Sequence, residues 1–235
     1  MNEQNAIKTN LRNEGFSSVE NLSKNINKEG SNIQYNSDNK KYSTKKINTK
    51  AMILISLLSA ISFILMYIET PIPGLFPEFL KIDISDIPAI IGGMSFGPFV
   101  GVGIVVIKNV IHLVTASHTG GVGELANILA GGTYVFVICT TFRKSKDNKG
   151  LVKGMIFATI SMAIVGGLVN YFILLPFYGQ IMGLEAIINM GSAINKNITN
   201  LFTLVLYIIV PFNILKGTIM SACSLFVYKK MKNLI

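Results

Sequence analysis

Charge is scarce in this sequence: Asp, Glu, Lys and Arg make up 14% of its 235 residues, while half are hydrophobic. With a mean hydropathy of +0.51, that balance excludes an ordinary soluble domain and points to helices that cross a membrane. Cysteine is scarcer still. Cys139 and Cys223 both fall inside apolar runs, which excludes a disulfide framework and marks them as buried structural thiols. No spacing of Cys and His reads as a metal site. No Gly-Lys-Ser/Thr run follows a glycine-rich turn, so the chain is expected to hydrolyse no ATP of its own.

What charge there is has a sign and a place. The formal net charge is +9, yet the basic residues form no nucleic-acid-binding face. They lie in Lys8 to Lys50, in Arg143 to Lys153, and in Lys229, Lys230 and Lys232, separated by apolar segments. Clusters so placed are expected on one side of a bilayer, the cytoplasmic one. Residues 1–50, rich in Asn, Lys, Ser and Glu, read as a polar, disordered cytoplasmic tail without a secretory signal. Residues 51–235 read as one all-α transmembrane domain.

Six apolar segments are expected to span, at about Ala51–Ile68, Ile84–Phe99, Val100–Thr115, Gly123–Phe142, Leu151–Leu175 and Leu201–Tyr228. A span needs about 20 residues, so the second and third are short and one of them is a candidate for a tilted or re-entrant segment. Six crossings put all three basic clusters, and both termini, in the cytoplasm. Glu69, Glu78, Asp83, Asp86, Glu124 and Glu185 then fall on the opposite side, against only Lys81 and Lys196.

Polar groups inside these segments are the candidate site. Asn213 and Lys216 stand near the middle of the last span, three residues apart and so on one helix face. A lysine at that depth costs roughly 2.5–3.5 kcal/mol on insertion scales, which makes it a functional candidate with helix locking as the plain alternative. Lys108, His112 and Thr115 recur at helical spacing in the third segment, Glu124 and Asn127 in the fourth, and Asn170 closes the fifth. Four segments contributing together favour a pocket, mostly of amides with one ammonium and one carboxylate. That inventory suits a neutral, heteroatom-rich, partly flat ligand better than an ion. The loop Glu69–Asp83 is stiffened by Pro71, Pro73 and Pro77 and carries Leu75, Phe76, Phe79 and Leu80. It is expected to cap the bundle or to act as a lid over an outward-facing cavity. In the first segment Ser56 and Ala60, four apart, form a small-residue face for another helix of this chain or of a partner membrane subunit.

Read together, Phe79-Leu-Lys-Ile-Asp83-Ile-Ser-Asp86-Ile-Pro-Ala-Ile-Ile-Gly-Gly93 and Phe96-Gly-Pro98 resemble the substrate-binding (S) components of energy-coupling-factor vitamin transporters. Lys108-Asn109 with His112, the run Thr119 to Asn127, Asn170-Tyr171-Phe172 and Pro211 to Gly217 narrow the resemblance to the riboflavin-specific branch. It covers about Ala51 to Lys232. It implies a six-helix binder in the bacterial plasma membrane that captures riboflavin from outside, with no catalytic step, cofactor or metal of its own. A transmembrane coupling subunit and two cytoplasmic ATPase subunits would complete the transporter. The resemblance assigns ligand contacts to Asn213, Lys216 and Asn170, with Phe79 and Leu80 of the loop as apolar contacts. Glu124, Asn127 and Lys108 are further candidates. It places the coupling-subunit contact at Ser56 and Ala60, where the family's pattern is an alanine pair.

Two other readings stay open at this point. The same architecture could carry another vitamin or a flavin nucleotide (FMN). An intramembrane enzyme would need a paired acid and base, for which His112 with Glu124 is the sole candidate pair.

Overall fold

The computed structural model describes residues 49–117, 119–145 and 148–231. Except for Thr49 and Lys50, the expected tail lies outside them. Helix α1 is Thr49–Met66, and a loop follows whose ends pair as a two-residue antiparallel ribbon, β1 (Thr70–Pro71) on β2 (Lys81–Ile82). The other helices are α2 (Ile87–Phe96), α3 (Pro98–Ala116), α4 (Val122–Ser145), α5 (Asn148–Val169), α6 (Leu175–Met182), α7 (Leu184–Ile194), the single turn α8 (Leu201–Leu204) and α9 (Val210–Met231).

Among the described residues five helical stretches are long and apolar enough to cross a membrane: Thr49–Met66, Pro98–Ala116, Val122–Ser145, Lys149–Met182 and Leu201–Lys230. The expected third span is thus a full 19 residues and not short. The expected second, Ile84–Phe99, shrinks to the ten residues of α2, about 15 Å of helix against a hydrocarbon core of about 30 Å. The cause lies at its two ends. Pro88 fixes the start, and Gly97, at φ +130°, turns the chain straight into Pro98 and α3. A β-carbon at Gly97 would lie 2.7 Å from Arg143 Nη1, so this turn sits beside the basic end of α4.

Two of the long stretches are not uniform. Asn170–Leu174 links α5 to α6, and Val205–Ile209 links α8 to α9, each as one π-helical turn. Each turn ends two residues before a proline, Pro176 or Pro211. Proline donates no hydrogen bond and crowds the carbonyl four residues back. Those carbonyls belong to Phe172 and Tyr207, at the centre of each π-turn. The widened turn absorbs the conflict without breaking the helix.

The buried apolar residues form two clusters. One centres on Ile90, Ile104, Tyr134, Ile138 and Met162 of α2 to α5. The other joins Phe76 and Leu80 of the loop to Leu175, Ile187, Ile198, Leu204 and Phe212. Outside them, Ile53, Leu57 and Ile64 of α1, Ile160 and Ile164 of α5, and Phe202 and Phe226 are exposed, as suits side chains that face lipid. Cys139 is buried in α4 and Cys223 half-buried in α9, both as free thiols.

Candidate functional site

Where the two clusters meet, a cavity of about 180 Å³ opens, with Ala130 and Met162 from one cluster and Leu80 and Phe212 from the other in its wall. Its polar lining brings together Asp83, His112, Glu124, Asn127, Asn170, Asn213 and Lys216, with Phe79 and Tyr178 as aromatic walls. Seven of the eight ligand-contact candidates therefore line one cavity: Phe79, Leu80, Glu124, Asn127, Asn170, Asn213 and Lys216.

Lys108 is the exception and does not line the cavity. It is 0% exposed and bonded to the Asp86 carboxylate and to Ser85 Oγ. Helical spacing placed it correctly on the face of His112. An acidic partner at the head of α2 then captured the ammonium, as burial of a charge requires.

The two π-turns shape the amide wall. Asn170 opens the first turn, and its Nδ2 donates to Gly166 O at 2.7 Å. Asn213 stands one turn past the second, and its Nδ2 donates to Ile209 O at 2.8 Å. Only the nitrogen end of an amide can bond a carbonyl, so both orientations are settled. Asn170 Oδ1 is buried without a hydrogen-bond partner. An orphaned acceptor of this kind costs about 1–3 kcal/mol until a donor arrives, and a bound ligand can supply one. The two helices meet at Gly166, where a β-carbon would lie 2.7 Å from Asn213 Oδ1.

Lys216, only 6% exposed, donates to Asp83 Oδ2 at 2.7 Å, with Asn127 Oδ1 at 3.5 Å. Asn127 Nδ2 donates in turn to Asn109 Oδ1 at 3.3 Å. Burial alone would raise the Asp83 carboxyl above the usual carboxylate range. The ammonium groups of Lys216 and Lys108, with hydrogen bonds from Lys216 and Ser85, outweigh burial and hold it well below that range. Asp83 is the residue that reasoning from the sequence missed. It read as one more loop acid, although it lies within the Phe79–Gly93 run that carried the resemblance. At the N-terminal end of α4, His112 Nδ1 lies 2.9 Å from Glu124 Oε1, and Thr119 Oγ1 donates to Glu124 Oε2 at 3.0 Å.

The loop is fixed by aromatic contacts. Phe76 meets Phe212 edge-on at 5.2 Å between ring centroids, and Phe79 meets Tyr178 at 5.9 Å. Beneath the loop, Phe79, Thr119 and Tyr178 are shared with an adjoining cavity of about 530 Å³ lined by Pro73, Phe76, Met182, Ile187 and Met190. Elsewhere, Ser56 and Ala60 are exposed on α1, whereas Ser59 and Ser62 are buried. Among the described residues, nothing packs over the small-residue face at Ser56 and Ala60 enough to bury it.

The family described as "ECF transporter, substrate-specific component" matches residues 50–228. This chain belongs to that family. As a substrate-specific component it is a multi-pass protein of the bacterial plasma membrane. It is 37% identical over 194 residues to the "Riboflavin transporter RibU" of Staphylococcus aureus (strain TCH60), covering 81% of this chain and 96% of that one. It is 34% identical over 188 residues to the "Riboflavin transporter FmnP" of Bacillus subtilis (strain 168), covering 79% and 94%. A solved structure titled "Structure and mechanism of the S component of a bacterial ECF transporter" superposes with a TM-score of 0.64 at 34% identity, covering 79% of this chain and 96% of that one. These relatives are named as transporters, not enzymes. That places the His112–Glu124 pair in the wall of a transport component and gives it no catalytic assignment.

Proposed function

We propose that this substrate-specific component binds riboflavin in the cavity walled by Asn170, Asn213 and Lys216, and carries it inward in concert with a transmembrane coupling subunit and two cytoplasmic ATPase subunits. One observation carries the reading: amides from two helices that each contain a π-turn, and a buried ammonium, converge on one aromatic-walled cavity, in a chain whose relatives are named riboflavin transporters. Riboflavin offers a flat apolar ring with a polar edge and a chain of hydroxyl groups. The orphaned Asn170 oxygen accepts from such a donor, Lys216 donates to a carbonyl or hydroxyl, and Phe79, Leu80, Tyr178 and Phe212 cover the ring.

The inner cavity, at about 180 Å³, is smaller than the roughly 300–1,000 Å³ usual for a ligand of this size. It shares Phe79, Thr119 and Tyr178 with the adjoining cavity of about 530 Å³ under the loop Glu69–Asp83, which supports the loop as a lid over a ligand that spans both. Charge supports six crossings with both ends inside. Two long stretches separate Arg143 from Lys229, so those clusters share a side however α2 is counted. The basic tail joins them only if α2 crosses as well. The placement of its Gly97 turn beside Arg143, with Asp86 at its other end beside the cavity-level lysines, supports that crossing. The exposed Ser56 and Ala60 face of α1 is the proposed coupling-subunit contact.

The test is quenching of riboflavin fluorescence by the purified protein. Saturable quenching that Asn170→Ala weakens by at least about tenfold, the value of one buried hydrogen bond, is expected. No quenching by the folded wild type would overturn the proposal.

A further inference from the structure

We infer that Asp83 is a positioning and specificity residue, which converts Lys216 from a free cation into an aimed, charge-compensated hydrogen-bond donor and so makes the cavity select an uncharged flavin over a phosphorylated one. The inference rests on the riboflavin reading and adds to it the residue that sets ligand charge.

An ammonium has three N–H donors. Asp83 Oδ2 takes one from Lys216 at 2.7 Å, Asn127 Oδ1 stands at 3.5 Å for a second, and one is left for a ligand. The carboxylate that holds the lysine is itself held. Its Oδ1 accepts from Ser85 N at 2.9 Å and from Ser85 Oγ. Ser85 Oγ also accepts from Lys108, which pairs with Asp86, and Ser85 O accepts from Ser62 Oγ. Helices α1, α2 and α3 thereby fix the root of the loop, and the root of the loop fixes the lysine of α9.

The remaining charge at the cavity is matched in the same way. Lys81 pairs with Glu69, and His112 bonds Glu124. Among the described lining residues, every ammonium has a carboxylate partner. A phosphate dianion entering here would face Glu69, Asp83 and Glu124 without an uncommitted cation to receive it, and like charges brought together discriminate against a ligand. An uncharged polyol or carbonyl edge meets no such barrier.

The probes are riboflavin and flavin mononucleotide, titrated by fluorescence quenching against wild type, Asp83→Asn and the double variant Asp83→Asn/Lys216→Gln, each checked for folding by gel filtration. Asp83→Asn frees Lys216 and leaves the cavity one charge more positive. Riboflavin affinity is expected to fall at least about tenfold, and the preference to move at least about tenfold toward the mononucleotide. The double variant removes both charges, so riboflavin weakens with no shift in preference. If Asp83→Asn does not fold, Lys216→Gln decides: it leaves the cavity one charge more negative, so the preference is expected to move away from the mononucleotide, and equal weakening of both flavins overturns the inference. Equal weakening of both flavins by Asp83→Asn overturns the inference, because a merely structural role predicts that. Unchanged riboflavin affinity in either variant, or a mononucleotide shift in the double variant, also overturns it. Wild-type quenching by riboflavin is read separately and decides the underlying functional reading.

Discussion

Gly166 of α5 and Asn213 of α9 meet so closely that a single methyl group on the glycine would stand 2.7 Å from the asparagine's Oδ1. Gly166 also supplies the carbonyl that holds Asn170. One residue without a side chain therefore sets both amides of the proposed site.

Gly166→Ala separates binding from stability for this reason. Alanine gains roughly 0.8–1.0 kcal/mol over glycine in a helix, which offsets part of an overpacking cost of about 1–3 kcal/mol. The melting temperature in detergent is expected to change little, while riboflavin affinity falls at least about tenfold because Asn213 is displaced. Affinity equal to wild type would show that the Asn213 amide makes no ligand contact.

Lys108→Met makes the opposite separation. Its loss leaves Asp86 as an unpaired buried carboxylate, a change that typically costs about 3–5 kcal/mol. Thermal stability is expected to drop sharply. The molecules that remain folded should lose less riboflavin affinity than Asp83→Asn does, as Lys108 does not line the cavity and reaches it only through Ser85 and Asp83. A selective loss of affinity at unchanged stability would return Lys108 to the ligand site.

Asp83 predicts a pH dependence. Its folded carboxyl is held below the ordinary value of about 3.9, so in mild acid the unfolded chain takes up a proton that the folded chain does not. The stability from this group is complete above about 3.9 and is lost as the pH falls through the depressed folded value. Melting temperature followed from neutral into acid should stay flat down to the ordinary carboxylate range and then fall. The fall should be shallower in the Asp83→Asn variant. A loss of the wild-type excess stability already near neutral pH would contradict this.

Ser56→Trp tests the face of α1. The position is exposed, so detergent-purified protein should bind riboflavin normally, while co-purification with the coupling subunit and riboflavin uptake are lost. Retained co-purification and uptake would place the contact elsewhere.

Asn170, Asn213 and Lys216 were legible as candidates because a polar group in a hydrocarbon run has few innocent explanations, and all three line the cavity. Asp83 was not legible as a site residue. In the sequence it is a loop acid like Glu69 or Glu78, and its partner is 133 residues away. Lys108 misled for the complementary reason: periodicity gives the face of a helix but not the charge that comes to meet it. The apolar runs located the five long stretches, while hydropathy alone overextended α2, whose length is set by Pro88 and the Gly97 turn. The residues between the expected fifth and sixth spans, Pro176 to Asn200, contain α7, whose Ile187 packs in one cluster with Phe76 and Leu80 of the loop Glu69–Asp83. The π-turns left no trace in periodicity, although Pro176 and Pro211 mark where each follows from local sterics.

Asn170, Asn213 and Lys216 act as one riboflavin site in the proposed function, and bound flavin reports on all three at once. Protein purified in detergent from cells grown with riboflavin should carry the visible absorbance of a bound flavin, and Lys216→Ala and Asn213→Ala should each emerge folded and colourless. A colourless wild type that also fails to quench added riboflavin would contradict the cargo. A flavin spectrum retained at full occupancy in both variants would contradict the site.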